Sequence, residues 1–402
     1  MIKYMEEIMK IKNIHLSGVG GIEHLELDFN SGLNLICGTN GIGKTTILEA
    51  ISNAFTIRSS NNLKRNTNFE KGIIDLTFED KDNIEQKKTY EIKEFEAYKT
   101  DDIYKLSSDS FLILYFKTNR ELDYKKVDGI KGDQPVSEVN AGNSINTGIQ
   151  AEDAKSWLLN RQLFSKQENS LTSEQIDNLN LALSTFSILD KNIRFSRILP
   201  DSLDILVNTH QGEIYLEYLS SGYKSCLYIL LGIIKGIEYR FKNPRINVKN
   251  FEGVVLIDEI DLHLHPEWQG ELVRALKKMI PKAQIIATTH SPNILQSVSA
   301  NEIIPLTLNK NGDIYKKDLQ LGKYGLQGWT IEEILTDVMG LKTTSSKIYN
   351  ETLRNFDNAM DNEDVEQIEE NYKILCEMLH PNSPIKKILE IQVAGLRDDK
   401  TR

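Results

Sequence analysis

The stretch Leu33-Asn34-Leu35-Ile36-Cys37-Gly38-Thr39-Asn40-Gly41-Ile42-Gly43-Lys44-Thr45-Thr46 decides how the chain is read. It opens on an apolar run of the kind that fills a buried strand. Gly38 to Thr45 then fits the phosphate-cradling pattern G-x-x-x-x-G-K-S/T. Ile47, Leu48, Ile51 and Phe55 follow on one helical face. Strand, glycine loop and helix, in that order, are the setting in which the pattern makes a site. Glycines let backbone N–H groups come close to phosphate oxygens, and the helix N-terminus adds the positive end of a dipole. Lys44 is placed to reach the β- and γ-phosphates, and Thr45 to put its hydroxyl on Mg²⁺. Asn40, Gly41, Gly43 and Thr46 complete the expected nucleotide contacts.

The chain has 402 residues, 40% of them hydrophobic and 26% charged, the balance of a globular protein with two or three domains. Its three cysteines, Cys37, Cys226 and Cys376, lie inside apolar or helical patterns and form no C-x-x-C pair. That argues for a reducing, cytoplasmic setting without disulfides or a structural zinc. The first twelve residues mix charged and apolar types, unlike a signal peptide, and no apolar run approaches the roughly 18 residues of a membrane span. The formal net charge is -10, so any contact with nucleic acid needs a local basic patch.

Upstream of the loop, Met9 to Asn30 alternates apolar and polar residues around Gly18-Val19-Gly20-Gly21, which predicts two strands. Arg58 to Asn68 reads as a basic, solvated loop, and Gly72 to Phe95 as a hairpin turning at residues 79–83. Phe111 to Phe116 is continuous apolar sequence, a central strand, ending in Lys117-Thr118-Asn119-Arg120. Val127 to Gln150 reads as a long loop. Ala151 to Leu189 predicts two helices, and Asp204 to Tyr218 a second hairpin. Leu219-Ser220-Ser221-Gly222 opens a helix that is apolar nearly all round and runs to about Phe241. Val254 to Ile257 and Gln284 to Thr288 are buried strands, separated by a helix with Pro266 in its first turn. Ile303 to Leu308 and Asp313 to Asp318 read as closing strands. From Trp329 onward the chain is helical and charged.

Asp258 follows the apolar run Val254 to Ile257, so its carboxylate sits at a strand tip, where it can hold Mg²⁺ through water beside Thr45. Glu259 comes next and is placed to orient or deprotonate an attacking water. His290 ends a later strand and is placed to meet the γ-phosphate or that water. His263 and His265 form an H-x-H pair without a third ligand nearby, so a metal reading there is weak.

With these residues in order, the chain resembles the ABC-type ATPase superfamily. It is most similar to the SMC- and RecF-like branch, and within that to the defence-associated ATPases of the overcoming-lysogenization-defect and Septu (PtuA) kind. The resemblance spans about Met9 to Leu308. It rests on the phosphate loop, the signature-like Leu219-Ser220-Ser221-Gly222, the strand ending in Asp258 and Glu259, the Asp261 turn and the His290 switch. It implies an α/β fold: an ATPase head with a mixed central sheet, an antiparallel β subdomain, a helical insertion and a C-terminal helical appendix. The expected divisions are residues 1–125 and 201–320 for the two parts of the head, 126–200 for the insertion and 321–402 for the appendix.

The resemblance further implies ATP and Mg²⁺ as ligands and a homodimer or higher homo-oligomer. In such an assembly Ser220, Ser221 and Gly222 of one copy complete the nucleotide site of another. Where the family carries a glutamine after the Phe111 to Phe116 strand, this chain has Asn119, taken as its stand-in toward Mg²⁺ or water. The signature continues Gly222-Tyr223-Lys224 rather than Gly-Gly-Gln, which argues against a transporter, and neither coiled-coil arms nor a nuclease-like acidic series after Leu308 is evident. The expected function is the ATPase subunit of an antiphage system, regulating a separate effector such as a nuclease. The alternatives are a DNA-repair ATPase of the RecF and SMC kind, which makes nucleic acid a candidate partner, and a slow-turnover scaffold locked by its nucleotide.

Overall fold

The computed structural model describes residues 8–56, 63–80, 82–99, 101, 108–120, 124, 126–129, 132–133, 136–149 and 152–399. In chain order the elements are β1 (Lys10–Val19), β2 (Ile22–Asp28), β3 (Leu33–Gly38), α1 (Lys44–Asn53), β4 (Gly72–Glu79), β5 (Glu85–Ile92) and β6 (Ile113–Phe116). The helices α2 (Glu138–Thr147), α3 (Glu152–Phe164) and α4 (Ser173–Thr185) follow. Then come β7 (Arg194–Ile198), β8 (Ile205–Thr209), β9 (Gly212–Tyr215), α5 (Ser221–Arg240), β10 (Val254–Ile257), α6 (Pro266–Met279), β11 (Gln284–Thr288) and α7 (Pro292–Gln296). The remainder is β12 (Ile303–Leu308), β13 (Ile314–Lys316), α8 (Ile331–Glu333) with a π turn over Ile334–Val338, and the helices α9 (Lys347–Asp361), α10 (Val365–Met378) and α11 (Pro384–Asp399).

Six strands form the central sheet in the order β13-β12-β3-β11-β10-β6. Its neighbouring strands are parallel from β12 to β6, and β13 alone is antiparallel. Strands β3, β10, β11 and β6 are buried along their whole length, which is why each reads as a mainly apolar run, with Asn34, Gln284 and Thr288 as buried polar exceptions. Ile257 lies opposite both Ala287 and Phe116, and Thr288 opposite Ile36. The loops after β3, β10, β11 and β6 therefore leave the same edge of the sheet, where ligands of open α/β sheets bind. Two antiparallel sheets flank it, β2-β1-β4-β5 and β7-β8-β9.

The structure departs from expectation in several places. Val127 to Gln150 is not a plain loop: it holds α2, whose first turn is capped by Ser137 Oγ accepting from Asn140 N at 3.1 Å. Strand β7 turns the expected hairpin of β8 and β9 into three strands. The apolar run from Phe111 begins in a 3₁₀ turn and becomes extended only at Ile113. Residues 58–62 of the expected basic loop lie outside the described residues. Arg65, farther along it, spends its side chain on the carbonyls of Lys93 and Phe69, each at 3.0 Å.

The described residues divide into two compact units after Gly340. Residues 321–340 belong to the first, although the expected appendix began at 321, because Leu326, Ile334 and Val338 join the main hydrophobic core. The second unit packs α9, α10 and α11 around Phe356, Ile368, Leu375, Leu389 and Val393.

Candidate active site

The loop between β3 and α1 is built from glycines for steric reasons. Gly41 and Gly43 have φ of 77° and 92°, in the left-handed region that side chains disfavour. A Cβ on Gly38 would lie 2.4 Å from the Leu306 carbonyl oxygen. The turn thus closes tightly on β12 and delivers Lys44 to the first position of α1. Lys44 Nζ donates to the carbonyls of Gly38 at 3.0 Å and Thr39 at 2.9 Å, so the ammonium spans the loop. Burial lowers its pKa, while charges including Glu259, Asp258 and Asp261 pull the other way.

Across the sheet edge, Asp258 directly follows β10 and is 4% exposed. Its carboxylate accepts from Thr45 Oγ1 at 3.0 and 3.1 Å and from Thr288 Oγ1 at 2.6 Å. The Thr288 hydroxyl also accepts from Glu259 N at 2.7 Å. One buried threonine on β11 therefore fixes both acidic residues after β10. Glu259 adopts φ of 48°, a strained conformation for a side-chain-bearing residue of the kind that gathers at functional sites. Asp261 ties this turn to the next loop, accepting from Thr289 Oγ1 at 2.6 Å and His290 N at 3.1 Å. Burial, and then the Lys44 charge, lower the His290 pKa, so the ring is neutral at neutral pH.

A cleft of about 590 Å³ is lined by Asn40, Gly41, Gly43, Lys44, Thr45, Thr46, Glu259 and His290. The structure thus brings the phosphate loop, Glu259 and His290 to one cavity. Thr45 and Asp258 offer oxygen donors side by side, which suits Mg²⁺, an ion that takes one or two carboxylates and completes its shell with phosphates and water. Among the described residues no group of three or more His, Cys, Asp or Glu could hold a metal by itself.

Other expected residues lie elsewhere. Asn119 is exposed after β6 and does not line the cleft. The buried group there is its neighbour Arg120, 3% exposed, which donates from Nη2 to the Asp258 carbonyl and from Nε to the Lys117 carbonyl at 2.9 Å. Burial pulls the Arg120 pKa down to about 10, and its Nη1 is buried without a partner. Sequence reasoning missed Arg120 and Thr288. An arginine at the tip of an apolar strand was the available signal for the first; nothing set apart the second. Ser220 and Ser221 are exposed at the start of α5, with Ser220 Oγ accepting from Tyr223 N at 3.4 Å as a cap. Gly222 is buried against the backbone of His263. The H-x-H pair gathers no metal group among the described residues. All three cysteines are free thiols, and burial pushes Cys37 up to about 12.

Residues 33–296 match the family described as "AAA domain, putative AbiEii toxin, Type IV TA system". The chain is 44% identical to the Septu protein PtuA of Bacillus thuringiensis, over 96% of its own length and 98% of that protein. It is 23% identical to the Retron Ec83 probable ATPase of Escherichia coli, over 81% of this chain and 76% of that one. The solved SMC head domain from Thermotoga maritima is 17% identical, with 78% of this chain and all of that one covered at a TM-score of 0.45. Among the described residues no helix is long and apolar enough to cross a membrane. With its phosphate loop, strand-tip acidic pair and His290 on one sheet edge, the chain belongs to this AAA-domain family, as a relative of the Septu PtuA proteins.

Proposed function

We propose that the chain binds MgATP at Gly38 to Thr46 and hydrolyses it, as the subunit that regulates a separate effector in an antiphage system. The observation that carries this is the Thr45 hydroxyl 3.0 Å from the Asp258 carboxylate, with Lys44, Glu259 and His290 lining the same cleft. Lys44 gives up its loop carbonyls to the β- and γ-phosphates, and backbone N–H groups from Asn40 to Thr46 cradle them. Thr45 and Asp258 hold Mg²⁺, which neutralises charge on the phosphate oxygens. Glu259, held by Thr288, accepts a proton from the attacking water or orients it. Neutral His290 donates a hydrogen bond to the γ-phosphate side of the cleft.

The exposed Ser220 and Ser221, at the N-terminal turn of a 20-residue helix, are available to the nucleotide of a second copy. ATP then favours a closed pair of heads, and hydrolysis releases them. The effector is a separate protein, a nuclease in the simplest form of the scheme. The test is the mass of Glu259→Gln by light scattering, with and without MgATP. A nucleotide-dependent doubling supports the scheme; a mass that ATP does not change overturns the dimer.

A further inference from the structure

A second cleft, of about 330 Å³, lies between α2 and α5 and shares no lining residue with the loop cleft. One wall is a polar face of α2, with Asn140, Asn143 and Ser144 at helical spacing. The other is the last turns of α5, with Lys235, Tyr239 and Arg240. Among the described residues, the charged side chains that line it are Lys235 and Arg240, both cations, in a chain that carries 58 acidic against 48 basic residues.

Among the described residues, Arg240 is held in place by neutral acceptors. Its Nη2 donates to Ser144 Oγ at 2.7 Å and its Nη1 to the Gly236 carbonyl at 3.3 Å. Ser144 sends its own hydrogen to the Ala141 carbonyl at 2.7 Å, which leaves its oxygen to accept from the guanidinium. The Arg240 Nε is buried without a hydrogen-bond partner. Burial draws the Arg240 pKa down to about 10, with no carboxylate acting against it. The carbonyl end of α5 favours a cation here, but it accounts for Nη1 and leaves Nε unmet.

We propose that this cleft binds a phosphate group, with Arg240 and Lys235 as its cations and the amides of Asn140 and Asn143 as neutral donors. A guanidinium, an ammonium and amide groups around one cavity suit a phosphate better than any neutral ligand. The volume admits inorganic phosphate or the phosphate of a nucleoside monophosphate. The cleft also borders the central sheet: Ile149 N, just past α2, donates to the Tyr115 carbonyl on β6 at 2.9 Å. Strand β6 pairs with β10, which leads into Asp258.

The test is calorimetric titration of the full chain with inorganic phosphate and with AMP. Saturating Mg²⁺ and a non-hydrolysable ATP analogue keep the loop site filled. The variants are Arg240→Gln, which removes the cation, and Asn143→Asp, which sets a carboxylate on an exposed position and disturbs no packing. The expected result is one saturable site in the wild type, weakened roughly tenfold or more in each variant. Tighter binding of AMP than of phosphate assigns the site to nucleotides, and equal binding assigns it to free phosphate. No saturable binding, or binding unchanged in both variants, overturns the proposal.

Discussion

A Cβ built on Gly222 would lie 2.3 Å from the carbonyl oxygen of His263. The start of α5 is therefore pressed onto the turn that follows Asp258 and Glu259. His263 itself holds φ of 65°, so its backbone has little freedom to retreat. Gly222 has a reason to be glycine within one chain, before any second copy is considered. Gly222→Ala keeps the N–H donor and adds only a methyl group. Overpacking of this kind costs about 1–3 kcal/mol. The urea midpoint is expected to fall accordingly; an unchanged midpoint would show that the contact relaxes freely.

Lys44 and Glu259 line the same cleft, and the proposed scheme gives them different stages, so their variants separate binding from turnover. Lys44→Ala removes the cation meant for the phosphates and is expected to weaken ATP binding itself. Glu259→Gln keeps size and hydrogen bonding but cannot accept a proton. It is expected to bind ATP as the wild type does and to turn it over about a hundredfold or more slower. Fluorescent-nucleotide titration reads the first and phosphate release the second. Equal turnover in all three proteins would remove both residues from their assigned roles.

Thr288 is the bridge between the two acidic residues, donating to Asp258 at 2.6 Å and accepting from Glu259 N at 2.7 Å. Thr288→Val nearly keeps the shape and deletes both bonds. The partly buried Glu259 N–H then loses its acceptor, a cost toward the lower end of about 1–3 kcal/mol. Lower stability is expected together with a higher Mg²⁺ requirement, because Asp258 loses one of the two hydroxyls that orient it. A variant that loses stability while its Mg²⁺ dependence stays the same would make Thr288 a purely structural residue.

The central sheet was legible because its strands are buried on both faces, and full burial leaves a continuous apolar run such as Val254 to Ile257. The loop residues were legible because their spacing is set by the phosphate chemistry. Helix α2 was not, because its buried face is only Ala141, Gly142 and Ile145, while Asn140, Asn143, Ser144 and Thr147 line a cleft. A helix that presents polar residues to a cavity looks like a loop in a hydrophobicity pattern. At the tip of β6, alignment by analogy drew attention to Asn119, whereas the fold buries Arg120 under Asp258. Which of two adjacent side chains turns inward depends on the neighbouring strand, and pattern alone does not carry that.

His290 gives the cleft a pH dependence of definite sign. Its pKa lies below the ordinary 6.5, chiefly through burial and then through the Lys44 charge. Below about pH 6.5 the unfolded chain takes up the proton before the folded one does. This group's contribution to stability is thus present above that pH and is lost as the pH falls through the depressed value. Replacing His290 by Gln removes the contribution. The drop in urea midpoint between neutral and mildly acidic buffer is expected to be smaller in the variant than in the wild type. An identical drop would show that His290 does not titrate in this window.

Outside the loop cleft, Glu238 on α5 is 1% exposed and receives three donors. Arg161 Nε pairs with its carboxylate, Trp157 Nε1 donates at 3.2 Å, and Asn178 Nδ2 donates at 3.3 Å. Asp133 takes the other end of the same guanidinium, so Arg161 is clamped between two carboxylates. These contacts join α3 and α4 to the helix whose first turn carries Ser220 to Gly222. Glu238→Ala would leave the Arg161 cation buried with half its partners, and breaking a buried pair in this way costs about 3–5 kcal/mol. Glu238→Gln keeps two of the neutral contacts and is expected to cost less. The pair of urea midpoints tests this order. If Ala and Gln are equally mild, the charge contributes little and the helices are held by Trp157 and their apolar faces alone.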